Sequence, residues 1–446
     1  MSTLNSILNS SLSSLRADQL ALSLAANNIA NAQTPGYTRQ RLVTAPAVLN
    51  EAFPSIGTGV DVVRVQALRD QMVETRLREE TSAKSGGDTL TKTLSDIEVL
   101  FNDTDATSPG LLQAVTNFFN SFQTLSQDPA SMNFREEVKT NAQALIDTLH
   151  SRNSDLKALQ HRVDQAIAPQ VDQLNQLTSQ IAAVSAEIKR QEIDGHAAND
   201  LRDRRGELVK QLSGIVAVHE LESDGDYQLT TKDNRLLVFN GVQRQLAASD
   251  VTSSIGEGSL KANLDLRDNY IPKYLNALDQ VAYELTQQVN SAHAAGYDLD
   301  GTTGNNFFAS LSSSSDASRL IGLSSSVVAD TRNIAASSQS TGNDNQVAMQ
   351  IGNLLTSPVF TGGSITDQYR SLIFTVGSDL SNSRSDLNEH ESMVSQLENR
   401  RQASSGVSVD EETASILQFQ RSYQASARLI QMVDELLQTT LGIIGA

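Results

Sequence analysis

Cysteine is absent from the chain. That excludes disulfides and thiolate metal sites, and it suits a chain that leaves the cytoplasm unfolded and must not misoxidise. Tryptophan is absent too, and aromatic residues make up only 4%. A core so built rests on small aliphatic side chains, which suits helices packed side by side. Positive charge is scarce: 34 Lys plus Arg stand against 52 Asp plus Glu, a formal net charge of -18. Phosphate contact needs a basic surface, so no nucleic-acid partner is expected. No window approaches ~18 consecutive apolar residues, so no membrane span is expected. The first residues, MSTLNSILNSSLSSLRADQLALSL, lack a basic stretch followed by a long apolar run, so they are not read as a cleaved signal peptide.

Marks of catalysis are also missing. There is no GxxxxGK[ST] and no GxGxxG loop. The 6 histidines are scattered, and His390-Glu391 has Val394 where a zinc site needs its second histidine. Asp298-Leu299-Asp300-Gly301 begins like a calcium loop, but Thr303 occupies the glycine position and Ala309 the twelfth, so it reads as a plain turn. Asp203-Arg204-Arg205 and Glu79-Glu80 read as charged helix faces. No metal or cofactor is expected, and the chain is not read as an enzyme.

What is present is a long seam at each end. From Val407 to Ile444, the residues Ile416, Tyr423, Ile430, Leu437 and Ile444 recur at a seven-residue spacing, with Phe419, Ala427, Val433 and Leu441 between them. That is the apolar seam of a helix built to lie along another helix. Ser408 and Glu411 have capping-box spacing. Such a helix would be on the order of 50 Å long and cannot bury its seam against itself. At the other end, Leu8, Leu15, Leu22 and Ile29 repeat with the same spacing. The two terminal helices are therefore expected to pair. Leu429, Leu436 and Ile443 flank the main seam and are candidates for contacts between subunits.

Between the ends the pattern is mostly helical. Thr34-Pro35-Gly36-Tyr37 stops the first helix. Arg39–Val43 and Val60–Val65 are Val-rich and partly alternate, predicting short strands. Leu68 to Lys84 and Thr89 to Phe101 are predicted as two helices separated by Gly86-Gly87. Ser108-Pro109 should start the next helix. Met132 to Glu192 is nearly continuous helix that Pro169 should kink or split. Leu201 to Leu212 is helical, with Gly214 closing it. Ile215–Val218, Tyr227–Thr230 and Leu236–Phe239 are strand-like, separated by the turn signals Asp224-Gly225-Asp226, Lys232-Asp233-Asn234 and Asn240-Gly241. Tyr270 to Ala295, Gln346 to Thr356 and Ile365 to Ala403 return to helix, with a loop-rich stretch over 296–345. The expected fold is mainly α: a long helical bundle or coiled coil with a small inserted β-rich domain. Three parts are expected: 1–60 plus 405–446, a terminal coiled coil disordered in the monomer; 61–214 plus 268–404, an elongated helical bundle; and 215–267, the β-rich insert.

Two stretches carry a resemblance. Ala26-Asn27-Asn28-Ile29-Ala30-Asn31 with Thr34-Pro35-Gly36-Tyr37-Thr38-Arg39 resembles the N-terminal signature of bacterial flagellar axial proteins. Val409-Asp410-Glu411-Glu412, then Gln418 to Arg428, then Val433-Asp434-Glu435-Leu436-Leu437, resembles the matching C-terminal signature. Interior stretches, Asn199-Asp200-Leu201-Arg202-Asp203-Arg204-Arg205-Gly206-Glu207-Leu208 and Leu278-Asp279 through Asn306-Phe307-Phe308, are similar to hook-associated members of that family. Larger members carry a further β-rich domain after the Phe pair, and this chain is short there. The resemblance implies a structural adaptor between hook and filament, assembling as a ring at the hook tip. It implies export through the flagellar type III apparatus to an extracellular place on the flagellum. The implied partners are further copies of the chain, the flagellar hook protein, a second junction protein (hook-associated protein 3), and a cytoplasmic export chaperone at the C-terminal helix. A hook or rod subunit is the alternative within the class, and an exported enzyme riding on axial-protein ends the alternative outside it.

Overall fold

The computed structural model describes residues 2–47, 59–101, 110–194, 197–223, 225–252, 254–341 and 344–444. It is mainly helical. In chain order the elements are α1 (Ser2–Ala30), β1 (Gln40–Pro46), β2 (Val60–Ala67), α2 (Gln71–Phe101), α3 (Leu111–Leu125), α4 (Met132–Gln191), α5 (Asn199–Ile215), β3 (Val218–Ser223), β4 (Asp226–Thr231), β5 (Leu236–Phe239), β6 (Val242–Gln243), α6 (Ser259–Asp265), α7 (Ile271–Ala294), α8 (Ala317–Leu320), α9 (Ser325–Ala329), α10 (Gln346–Asn353), α11 (Ile365–Ser405) and α12 (Val409–Ile444). The chain divides into two compact units.

The first unit comprises Met1–Ser85, Val171–Gly258 and Glu389–Ala446. Here α1 packs against α12. Ser14 meets Ser426 and Asn28 meets Glu412, so the two end helices pair, as the twin seams predict, and they run antiparallel. β1 and β2 form an antiparallel hairpin with an irregularity between Val43 and Thr44. Its return strand lies tight on α1: a Cβ on Gly59 would sit 2.1 Å from Ser13 Oγ. β3 to β6 make a four-stranded antiparallel meander. Tyr227, Leu229, Leu237 and Val238 are buried in it, while Leu221, Phe239 and Val242 are exposed. Asn240 and Gly241 both take positive φ, 49° and 81°, as a tight hairpin of this twist requires.

The second unit comprises Gly86–Gln170 and Ser259–Asn388. Its core runs from Leu94 and Ile97 through the apolar face of α3 to α7, α10 and α11. The few aromatics are concentrated here. Phe118 lies 5.6 Å from both Phe307 and Phe308, ring centre to ring centre, and those two stand edge to face at 4.8 Å. Arg135 is only 2% exposed and, among the described residues, pairs with no carboxylate; it donates to the carbonyls of Pro129, Thr331, Arg332 and Ile334, tying the loop after α9 to α4. His293, 1% exposed, accepts the Ala335 N–H at Nε2 and bonds the Asn305 carbonyl through Nδ1. Asp298 closes a turn, its Oδ1 accepting from the N–H groups of Asp300 and Thr302.

Several local expectations are corrected. Gly86-Gly87 does not break a helix; α2 runs through it. A Cβ on Gly87 would lie 3.5 Å from Leu387 Cβ, so the glycine serves close helix approach instead. Pro169 does not split α4, a 60-residue helix. Burial at Val163 and Ile167 before it and Val171 and Leu174 after it outweighs the lost hydrogen bond. Gly214 lies inside α5, and of Ile215 to Val218 only Val218 is in a strand. Val216 and Ala217 are nonetheless buried, which explains their apolar, strand-like pattern. Residues 259–265 are helix, followed by a π-helical turn over Leu266–Tyr270. Ser108 and Pro109 lie outside the described residues; α3 begins at Leu111 with Gly110 ahead of it.

Candidate functional site

The polar centre of the first unit is built where three separate sequence stretches meet. Asn28, near the end of α1, is 1% exposed. Its Nδ2 donates to the Gln40 carbonyl at 2.9 Å and to Glu412 Oε2 at 3.0 Å. Its Oδ1 accepts from the Tyr37 hydroxyl at 2.9 Å and from the Gln40 N–H at 3.1 Å. Two donors and two acceptor sites exhaust what an asparagine amide can offer. Burial, then the carboxylates of Asp200, Asp203 and Glu412, pushes the Tyr37 phenol up to about 12, so it stays protonated and remains a donor.

The next residues continue the clasp. Thr38 donates to Asp203 through both its N–H (2.8 Å) and its hydroxyl (2.7 Å), and Arg69 pairs with the same carboxylate. Arg39 pairs with Glu411 and with buried Glu412, each at 2.7 Å, while its N–H donates to the Ser405 carbonyl. Gln40 donates to Asp200 at 2.8 Å and accepts from Asn199. Ser408 receives the Glu411 N–H at 3.4 Å, giving half of a capping box. The Glu411 carboxylate does not complete the box, because Arg39 holds it. Gly36 takes φ +79° in the turn, and its carbonyl accepts from Arg401, which also pairs with Glu74 at 2.6 Å. Buried charges survive in proteins when paired and hydrogen-bonded, and every member of this set is.

Asp203 and Arg205 are therefore not a solvated helix face, as their sequence context suggested. They are 7% and 3% exposed. Asp203 holds the signature loop, and Arg205 stacks 3.9 Å over the Tyr227 ring while pairing with Glu222, which anchors the meander to α5. Only Arg204 of that triplet is exposed. Glu80 pairs with His390 at 2.8 Å.

The sequence-predicted residues fall around this clasp in three groups. Of the signature positions, Asn28 is at its centre and Tyr37 and Gly36 belong to it. Asn27, Asn31 and Thr34 instead form a small exposed chain: Asn31 donates to Asn27 Oδ1 at 3.0 Å and accepts from the Thr34 hydroxyl at 3.2 Å. Pro35 is exposed. Leu8, Leu15, Leu22 and Ile29 are half-buried. The deepest positions on α1 are Ser11, Ala17, Asp18, Ala21, Ala25 and Asn28, small residues that let α12 and the hairpin come close. On α12, Val433 is buried, while Ile416, Phe419, Tyr423, Ile430 and Leu437 are half-buried. The side chains of Leu441 and Ile444 lie outside the described residues. Leu429 and Leu436 are exposed, at 43% and 56%. Glu412, Arg39, Thr38 and Asp203 were within quoted motifs but not picked as site residues. The available signal was charge complementarity between Arg39 in one signature and Glu411-Glu412 in the other.

Comparison with known proteins places the same stretches. Residues 94–308 match the family described as flagellar hook-associated protein FlgK helical domain. Residues 8–38 match the flagella basal body rod protein family, and 399–443 match the flagellar basal body rod FlgEFG protein C-terminal family. Paired end signatures on a helical body define a flagellar axial protein. Over nearly full length the chain is similar to flagellar hook-associated protein 1 of Bacillus subtilis (29% identical, covering 97% of this chain and 96% of that one). It is likewise similar to the proteins of that name from Salmonella typhimurium (27%, 99% and 100%) and Escherichia coli K12 (26%, 99% and 100%). The fold is shared with the flagellar hook junction protein FlgK from Burkholderia pseudomallei, at 16% identity and a TM-score of 0.65, over 75% of this chain and 100% of that one. The similarity to flagellar hook-associated protein 1 thus runs over nearly the whole chain, with family models matching both ends and the helical body between them.

Proposed function

We propose that this chain is a structural subunit of the bacterial flagellum that joins hook to filament. One observation carries the reading beyond sequence similarity. The two end signatures close on each other through Asn28, Arg39 and Glu412, while α1 and α12 keep large apolar residues exposed on their outer faces. An inner polar clasp fixes the pairing of the ends, and the outer apolar stripes remain for neighbouring copies. The mainly helical body suits a junction subunit better than the hook or rod subunit, for which a mostly β body was the expected mark.

The rest of the reading is finer. Copies assemble as a ring on the hook tip, with the hook protein on one side and a second junction protein (hook-associated protein 3) on the other. The chain travels unfolded through the flagellar type III apparatus, and a chaperone covers α12 before export. Residues 1–60 and 405–446 form the assembly domain and stay open in the free monomer, since such helices are marginal until a neighbour supplies their seams. The chain has no catalytic role. The interface positions are Leu8, Leu15, Leu22, Ile29, Ile416, Phe419, Tyr423, Ile430, Val433, Leu437, Leu441 and Ile444.

The test is Ile430→Asp, expressed in cells lacking their own copy. The variant should retain the helical signal of the wild-type protein yet support no filaments. Normal filament growth with this variant would remove the seam from the mechanism. Proteolysis of the free monomer should trim both ends and spare the middle.

A further inference from the structure

Asp18 sits mid-way along α1 and is 8% exposed. Its Oδ2 is buried and, among the described residues, accepts no hydrogen bond. A carboxylate in that position is costly unless a donor reaches it. Beside it opens a groove of about 500 Å³ between α1, the β1–β2 hairpin and the first turns of α12. Arg39, which also lines the groove, is already held by Glu411 and Glu412.

The outer face of α12 offers the missing charge. Leu417, Arg421, Ala425, Arg428, Met432 and Leu436 follow at helical spacing and are all exposed. That is one stripe, apolar at its ends, with two arginines in it. Neither arginine has an ion pair or hydrogen bond among the described residues. They point away from the face of α12 that carries Ser426 and Val433 onto α1, so they do not serve the pairing within a chain. A ring of identical subunits needs a heterologous contact, in which one patch on a copy fits a different patch on the next. The groove and the stripe are two such patches: Arg39, Arg41 and Glu412 also line the groove, but Asp18 Oδ2 is its one buried oxygen left without a donor among the described residues, and the stripe carries two arginines without a partner there.

We propose that the α1 groove receives the α12 arginine stripe of a second copy, with Arg421 or Arg428 of that copy pairing with Asp18. The inference rests on the ring reading above. Arginine suits the role because its long apolar stem can cross the groove while its guanidinium meets the carboxylate with two N–H groups.

The natural absence of cysteine makes the test clean. Full-length Asp18→Cys and, separately, Arg421→Cys and Arg428→Cys chains carry different tags and are co-expressed in cells that keep their own wild-type copy, so that flagella still form. Isolated flagella are treated with a short bis-maleimide. The expected product is a cross-linked pair bearing both tags, from Asp18→Cys with one of the two arginine variants. In parallel, Asp18→Asn in cells lacking their own copy should lower the number of filaments on the order of a hundredfold. Asp18→Lys with Arg421→Asp or Arg428→Asp in the same chain should recover most of it. Wild-type chain present in the flagella, but no mixed-tag product and full assembly by Asp18→Asn, would overturn this contact and leave the junction role standing. Wild-type chain absent from the flagella would overturn both.

Discussion

Acid should loosen the second unit through one residue, His293. Its geometry fixes the tautomer. The Ala335 N–H donates to Nε2 at 2.8 Å, so Nε2 carries no proton, and Nδ1–H donates to the Asn305 carbonyl. The ring also stands edge-on to Phe307 at 5.5 Å. Protonation would turn Nε2 into a donor facing a donor, at a side chain almost closed off from solvent. Burial, with the Arg135 charge adding to it, lowers the imidazole from 6.5 to about 4. Because the folded value is depressed, the unfolded chain binds the extra proton first as pH falls. The stabilisation is fully present above 6.5 and is lost progressively as pH drops through 4. The gap corresponds to about 3 kcal/mol. Exchange of amide hydrogens along α7 reads this locally, which matters because a chain of two units has no single unfolding free energy. The control is His293→Gln. A side-chain amide can donate to Asn305 and accept from Ala335 but cannot take up a proton. At pH 7 it should cost about 1–2 kcal/mol through imperfect filling. Between pH 6.5 and 4 it should remove most of the added slope in α7 protection. An unchanged slope in the variant would refute the argument.

Three other expectations follow from the geometry. Asn28→Asp should impair filament assembly more than Asn28→Ala, although it is nearly isosteric, because it loses both donor bonds and opposes Glu412 with a like charge; equal counts of filaments from the two variants would contradict this. Arg135→Lys should destabilise the second unit by about 3 kcal/mol, since an ammonium cannot span carbonyls on two segments as the planar guanidinium does; protection of amides near Ile334 is the measurement. Gly241→Ala should cost about 1–3 kcal/mol, combining φ +81° with a Cβ only 2.7 Å from Ala186 Cβ, whereas Gly225→Ala, also at positive φ but with open space around it, should cost only about 1 kcal/mol; denaturant midpoints of the two variants give the comparison.

Much of the molecule was legible because its helices are long and strongly periodic. α7 was read to within a residue at each end, and the pairing of the ends, though not its antiparallel sense, followed from two seams of one period. The errors have a common cause. Gly86-Gly87 and Pro169 are local breakers, yet neither ends its helix: Leu387, half-buried, packs against Gly87, and the buried apolar face continues on either side of Pro169. On α1 the heptad leucines are half-buried, but they are not the deepest positions. Leucines announce a seam, yet the deepest positions are alanines, Ser11, Asp18 and Asn28, which carry no apolar signal of their own. The clasp was present in the motifs, but Asp203 and Arg205 looked like ordinary surface charge. Their meaning lies in partners more than a hundred residues away or across a sheet, and single-sequence spacing does not encode that.

The ion pair between Arg39 and Glu411 joins residues 372 apart in sequence. Translation adds on the order of 5–20 residues each second, so roughly half a minute separates the making of the two partners. Throughout that time Asn28 has only its Tyr37 and Gln40 partners, and Arg39 exists without Glu411 or Glu412. The front of the chain is thus obliged to wait. A protein closed by a clasp between its first and last segments carries its own delay, set by its length, before that clasp can form.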